Sequence, residues 1–279
     1  MRILVGFKVT PDFESLREAD WIAGEGNLAD GAGVETRYVP RLLNCFDESA
    51  LELALRLRDA AAGRSFVEPQ LSAVSIGGSQ VEPFLTTLLA LGYGRAARVD
   101  VGADVDFAPA AVASILAACA HDSDGGDVLL LGCRSGPGDG GTVPFRVAET
   151  LGWPCLSQVV EIEALSGDDL RVTCLADDCL LRVTVRPPCV LAVGNAVVSR
   201  LRVPTLRDRL ARRDVLVDVL RAADLGIDID LLLEREPAGL IGLEAVRRAR
   251  AGVVVGGETP HEKARHLLDD HLRAVIERL

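Results

Sequence analysis

Short apolar, β-branched runs alternate along the chain with longer stretches whose apolar residues return at helical spacing. Ile3–Val5, Leu71–Ile76, Val128–Leu131 and Val190–Val193 read as buried strands, with Ala97–Val101 a weaker fifth. Between them, Phe46–Ala62, Gln80–Leu91, Ala108–Ala120 and Val143–Leu151 keep apolar residues on one side and polar residues on the other, the mark of amphipathic helices. This alternation predicts an α/β fold built on a doubly wound, mainly parallel sheet covered by helices. Ser79 with Glu82 three residues on fits a capping box and places one helix start.

The order then changes. Gln158–Leu165 and Leu170–Val185 flank the turn-rich Ser166-Gly167-Asp168-Asp169, which predicts an antiparallel hairpin appended to the sheet. Beyond Pro187-Pro188 and one more strand come an arginine-rich stretch, Asp214–Glu236, and Val253–Gly257 leading into a last helix. Thr259 as N-cap, Pro260 at the first helical position and Glu262 three beyond the cap mark that helix start. The expected division is residues 1–195 as the main α/β domain and 196–279 as a C-terminal helical or αβ extension, separate or semi-detached.

Composition narrows the classes. With 49% hydrophobic and 25% charged residues, the 279-residue chain lies far from the signature of disorder. A formal charge of −11 sets its mean field against phosphate backbones, so nucleic acid is not the expected partner. No run approaches the roughly 18 apolar residues of a membrane span, and the first residues hold too short an apolar run for a signal peptide, so a cytoplasmic location is expected. Seven scattered cysteines without a C-x-x-C pair read as reduced and mostly buried.

Candidate chemistry gathers where strands should hand over to loops: Gly6-Phe7-Lys8, Asn44-Cys45-Phe46-Asp47, Gly77–Gln80 and Gly132–Thr142. In open α/β sheets such loops converge on a ligand crevice. The fourth, Gly132-Cys133-Arg134-Ser135-Gly136-Pro137-Gly138-Asp139-Gly140-Gly141-Thr142, has five glycines in eleven residues just before a helix. Glycines let backbone N–H groups approach a phosphate, although the spacing matches neither common phosphate-loop pattern, so a plain flexible loop is the other reading. Lys8 suits a phosphate or a sheet edge equally. Asp47 is expected to support a helix N-terminus, with Glu48 and Glu52 on that helix's solvated face. His261, His266 and His271, spaced by five, fall about 140° apart on an α-helix and argue against a metal site. The basic run from Arg200 to Arg213 reads either as a solvated face pairing local carboxylates or as a partner surface.

Several segments together resemble the electron transfer flavoprotein beta subunits, a family that includes the FixA branch. They are Ile3-Leu4-Val5-Gly6-Phe7-Lys8-Val9-Thr10-Pro11-Asp12, the more specific Asn44–Arg58, Ser75–Gln80, Leu89–Ala96, Leu151-Gly152-Trp153-Pro154, and Arg202-Val203-Pro204-Thr205-Leu206 followed by Ala211-Arg212-Arg213. The resemblance covers most of residues 1–213. It implies the adenine-nucleotide alpha-hydrolase-like (HUP-type) version of the fold and an electron carrier without bond chemistry of its own. It further implies AMP or FAD in this subunit, an FAD-containing alpha subunit as heterodimer partner, and a redox donor such as a dehydrogenase. The nucleotide site would fall on Gly6, Phe7, Lys8, Asn44, Cys45, Phe46, Asp47, Ile76 and the loop Gly132–Thr142. The partner loop would fall near Asn195–Arg202, with Val197 or Val198 as apolar anchor and Arg200, Arg202, Arg207 and Arg209 as basic contacts.

The glycine loop departs from the family pattern. Cys133 stands for a lysine, Arg134 for a glutamine, Pro137 for an aspartate and Gly140 for an asparagine, with one residue missing. Asp139 and Thr142 remain as hydrogen-bonding candidates, and Arg134 can offer a bidentate phosphate contact. Two alternatives stay beside the carrier: a docking subunit without nucleotide, and a HUP-type nucleotide-binding enzyme.

Overall fold

The computed structural model describes residues 1–23, 26–27, 34, 36, 38–62, 68–122, 126–136, 140–165, 168–236, 242–243 and 252–278. They group into two compact units, 1–243 and 244–279.

Nine strands form the main sheet of the first unit. In chain order they are β1 (Arg2–Gly6), β2 (Gln70–Ile76), β3 (Arg95–Asp100), β4 (Val128–Gly132), β5 (Cys155–Ala164), β6 (Leu170–Ala176), β7 (Cys179–Val185), β8 (Cys189–Val193) and β9 (Asp218–Arg221). The sheet order is β7-β6-β5-β8-β4-β1-β2-β3-β9, parallel except for the β5-β6-β7 meander. Helices α1 (Cys45–Ala61) and α2 (Glu82–Ala90) cover one face, sharing a core with Ile3, Val5 and Leu130. Helices α3 (Pro109–His121) and α4 (Val143–Leu151) cover the other, against Leu4, Leu129 and Val190. These alternating side chains of single strands enter opposite cores, which is why the runs read as continuously apolar. The doubly wound expectation holds.

Three local expectations change. Leu170–Val185 is two strands, because Ala176 pairs with Cys179 and leaves Asp177-Asp178 as a two-residue turn with Asp177 at φ 45°. Ser79 does not cap the following helix: Ser79–Val81 forms a 3₁₀ turn with Gly78 as its cap, and Glu82 instead accepts a hydrogen bond from Arg98 Nε at 3.0 Å. Within the stretch expected to stand apart, β9 pairs in parallel with β3 from Asp218↔Ala97 to Arg221↔Asp100. The compact division therefore follows Leu243 rather than residue 195.

In the second unit the Thr259–Glu262 capping box is present, with Thr259 Oγ1 accepting from Glu262 N at 3.2 Å. Leu267–Leu272 is π-helical, so bonding from i to i+5 brings residues five apart nearer one face than the α-helical 140°. Even so, no group of metal-ligating side chains forms among the described residues.

Candidate functional site

The strand order reverses at β1. The chain proceeds from β1 to β2 and β3 on one side and returns through β4 on the other, so the carboxyl ends of β1 and β4 flank the switch point. Three of the four segments singled out in the sequence meet there, after β1, after β4 and at Asn44–Asp47, the last being the start of α1. Asp47 is the joint. Its Oδ2 accepts from Lys8 N at 2.8 Å, after β1, and its Oδ1 accepts from Gly132 N at 2.7 Å, at the end of β4. Burial raises the Asp47 carboxyl to about 6, against the pull of those backbone hydrogen bonds and of Asn44 and Lys8. Asn44, the helix N-cap, makes no side-chain cap bond; its Nδ2 donates to Arg134 O at 2.8 Å and its backbone N to Lys8 O at 3.0 Å. Asp47 thus stitches strand ends together rather than serving only its own helix.

Of the expected nucleotide residues, all but Pro137, Gly138 and Asp139 lie among the described ones. Gly6 and Gly132 answer to packing: a Cβ on Gly6 would lie 2.6 Å from Leu131 Cδ2, and one on Gly132 would lie 2.9 Å from Phe46 Cβ and overlap Asp47 Oδ1. Gly136 and Gly140 face open space, and Ser135 bridges Gly140 at the base of the loop. Gly138 and Asp139, with Pro137, lie outside the described residues. Phe7 N donates to Val74 O, and Phe7 O accepts from Ser75 Oγ at 2.8 Å. Lys8 Nζ pairs with Asp106 at 3.1 Å, which favours its sheet-edge reading. Cys45 is exposed, Phe46 and Ile76 are half-buried, and Cys133 is buried with its N donating to Val193 O at 2.8 Å. Burial, the main cause, also raises the Cys133 thiol, so Arg134 does not make it a ready thiolate. Arg134 and Thr142 are exposed and Gly141 is half-buried.

Helix α4 opens on Thr142 without a side-chain cap and without an acidic residue in its first turn. Arg146, the fourth residue of that helix, has a buried Nε with no hydrogen-bond partner among the described residues. Helix α3 differs: Glu236 Oε2 accepts from Ala110 N and Ala111 N at 3.1 and 3.3 Å. Sequence reading missed that contact, because a separation of more than a hundred residues leaves no local signal. A Gly132→Ala substitution is expected to cost roughly 1–3 kcal/mol by overpacking, since the displaced atoms include backbone and the Asp47 carboxylate. Denaturant unfolding checks this, and a loss below about 0.5 kcal/mol would mean the joint yields easily.

The expected partner loop leaves the same carboxyl edge after β8. Val197 is 91% exposed, Val203 82% and Leu206 72%. Val198 is half-buried, and Arg200, Arg207 and Arg209 are exposed. Arg202 is engaged within the chain: its Nη2 and Nε reach Glu52 Oε1 at 2.8 and 3.1 Å, and its Nη1 reaches Asp59 Oδ2 at 2.5 Å. The Glu52 carboxylate pushes the Arg202 guanidinium further above its usual range. Glu52 is itself buried, which overturns its expected place on a solvated helix face. No described helix is long and apolar enough to cross a membrane.

Known proteins bear on this arrangement. The family model of the electron transfer flavoprotein domain matches residues 32–224. YgcR of Escherichia coli (strain K12), a provisionally named electron transfer flavoprotein subunit, is 31% identical over 276 residues, 98% of each chain. The electron transfer flavoprotein subunit beta of Bradyrhizobium diazoefficiens is 30% identical over 75% of this chain and 82% of its own. That of Mus musculus is 28% identical over 81% and 84%. The span matched by the family model takes in α1, the loop after β4 and the loop after β8, and on that ground, with the relatives' coverage, the chain belongs to the electron transfer flavoprotein family, on its beta-subunit side.

Proposed function

We propose that this electron transfer flavoprotein beta-type subunit holds an adenine nucleotide, AMP or FAD, at the switch-point crevice and pairs with an FAD-containing alpha-type subunit. In that pair it carries electrons from a donor such as a dehydrogenase to a redox acceptor. The supporting observation is the convergence of the β1, α1 and β4 segments through Asp47 and Asn44, on a chain of this family.

The residues present suit such a ligand at its phosphate end. The loop Gly132–Thr142 leads into an uncapped helix, and the backbone at Gly136 and Gly140 is open. Helical side chains lean toward the helix N-terminus, so Arg146, whose Nε has no partner among the described residues, adds positive charge at the positive end of a helix, an arrangement that an anion would relieve. A bound flavin would supply the electron-accepting group; AMP would supply none. For pairing, Val197, Val203 and Leu206 form an exposed apolar stretch beside Arg200, Arg207 and Arg209, the composition of a docking surface.

One observation favours a second reading, a docking subunit without nucleotide. The N–H groups of Phe7, Lys8, Gly132 and Cys133 are all bonded within the chain, and the buried Cys133 offers no charge. Acid release and mass spectrometry of small molecules separates the readings, applied to the purified chain alone and co-expressed with an alpha-type subunit. The proposal expects AMP or FAD from the isolated chain and an FAD gained on pairing. A stable pair whose only nucleotide travels with the alpha subunit would leave the docking reading; no pair would remove both.

A further inference from the structure

We infer that Glu52, assisted by Glu48, is a positioning residue that presets the partner loop, and that Arg202 acts through this latch rather than as a partner contact. The inference rests on the docking reading of the β8 loop. Residues 199–205 have no helix or strand of their own. Their conformation depends on what their polar groups meet, and two consecutive backbone donors meet the same helix: Leu201 N donates to Glu48 Oε1 at 3.0 Å and Arg202 N to Glu52 Oε2 at 3.1 Å. The Arg202 side chain returns to Glu52 and extends to Asp59. At about 100° per residue, Glu48, Glu52 and Asp59 fall within a stripe about 40° wide on α1. One helical stripe of acids therefore reads two main-chain N–H groups and a guanidinium of a segment about 150 residues later.

A carboxylate this deeply buried needs a counter-charge, and the Arg202 fork provides it in bidentate form. The consequence is a loop whose apolar tip at Val197 stays exposed while its root is fixed, so less ordering entropy is lost on docking. Because α1 begins at Asn44–Asp47 in the crevice, the root of the loop and the switch point are set by a single helix.

Glu52→Gln and Arg202→Lys, each in the full chain, test this against Val197→Asp at the tip. Amide hydrogen exchange and affinity for the alpha-type subunit are the readouts. Both latch variants are expected to speed exchange at Leu201 and Arg202 while β1 and β4 stay protected, and to weaken pairing about tenfold. Val197→Asp is expected to weaken pairing with exchange at the root unchanged. The latch is refuted by unaltered exchange at Leu201 and Arg202. Its positioning role is refuted if the root loosens but pairing keeps its affinity. If the unmodified chain and the alpha-type subunit do not pair at all, the docking reading fails and this inference with it, a result distinct from normal pairing by the latch variants.

Discussion

Asp47→Ala is expected to destabilise the chain by about 2–4 kcal/mol at pH 5, and by roughly 1–1.5 kcal/mol less at pH 7.5. The cost arises because Lys8 N and Gly132 N lose their acceptor together, and an orphaned buried donor costs about 1–3 kcal/mol. The pH dependence follows from burial. With the folded Asp47 carboxyl at about 6 and an unfolded aspartate near the usual carboxylate value, the native chain retains a proton that the unfolded chain has released. Across that interval Asp47's contribution to stability falls as pH rises, and above about 6 the full cost of the buried charge is present. Alanine removes both the bonds and that cost, so its penalty shrinks with rising pH. Urea unfolding of both proteins at the two pH values decides the matter; a penalty that grows toward pH 7.5 would mean the carboxylate is stabilised in the fold, against the burial argument. Any nucleotide affinity should fall with the same substitution, because the ends of β1 and β4 are no longer tied.

The second large effect belongs to Arg202→Met. Removing one partner of a buried ion pair costs about 3–5 kcal/mol, because the remaining charge stays buried. Glu52 is 5% exposed but Arg202 is 38% exposed, so solvent screening reduces the expected loss to about 2–3 kcal/mol. Arg56 Nε, 3.4 Å from Glu52, remains as a weaker partner on the exposed side of the helix. Replacing Glu52 by Met as well should recover part of the loss, since the stranded charge is gone but the N–H of residue 202 has also lost its acceptor. Thermal unfolding of the two variants checks this: a double variant no more stable than Arg202→Met would place the loss in packing of the arginine stem, not in the stranded carboxylate.

The sheet was legible because each central strand is buried on both faces, and four short apolar runs marked β1, β2, β4 and β8 to within a residue or two. The crevice segments were legible for a related reason, since glycine and asparagine cluster where strands end. Their chemistry was not. Gly132 resembled a phosphate-approach glycine, yet its missing side chain makes room for Phe46 and Asp47. Glu52 sits at helical spacing among polar residues and looked solvated; only Arg202, far along the chain, explains its burial. The second β-rich run hid a turn because Asp177-Asp178 carries no glycine, and Asp177 takes its positive φ with an aspartate side chain. In each case the deciding partner is remote in sequence or the backbone state is one that composition signals weakly.

The place of β1 in the sheet has a consequence for synthesis. It is the first strand of the sheet to leave the ribosome and it ends between two neighbours, β2 and β4. Its first neighbour is complete at Ile76, but the second arrives only with Val128–Gly132. Until then the central strand presents one unpaired edge, flanked by the apolar side chains that later fill two cores, the condition under which a nascent chain is most open to wrong strand addition. Vectorial growth therefore places the vulnerable interval of this protein between those two strands, well before the partner loop exists.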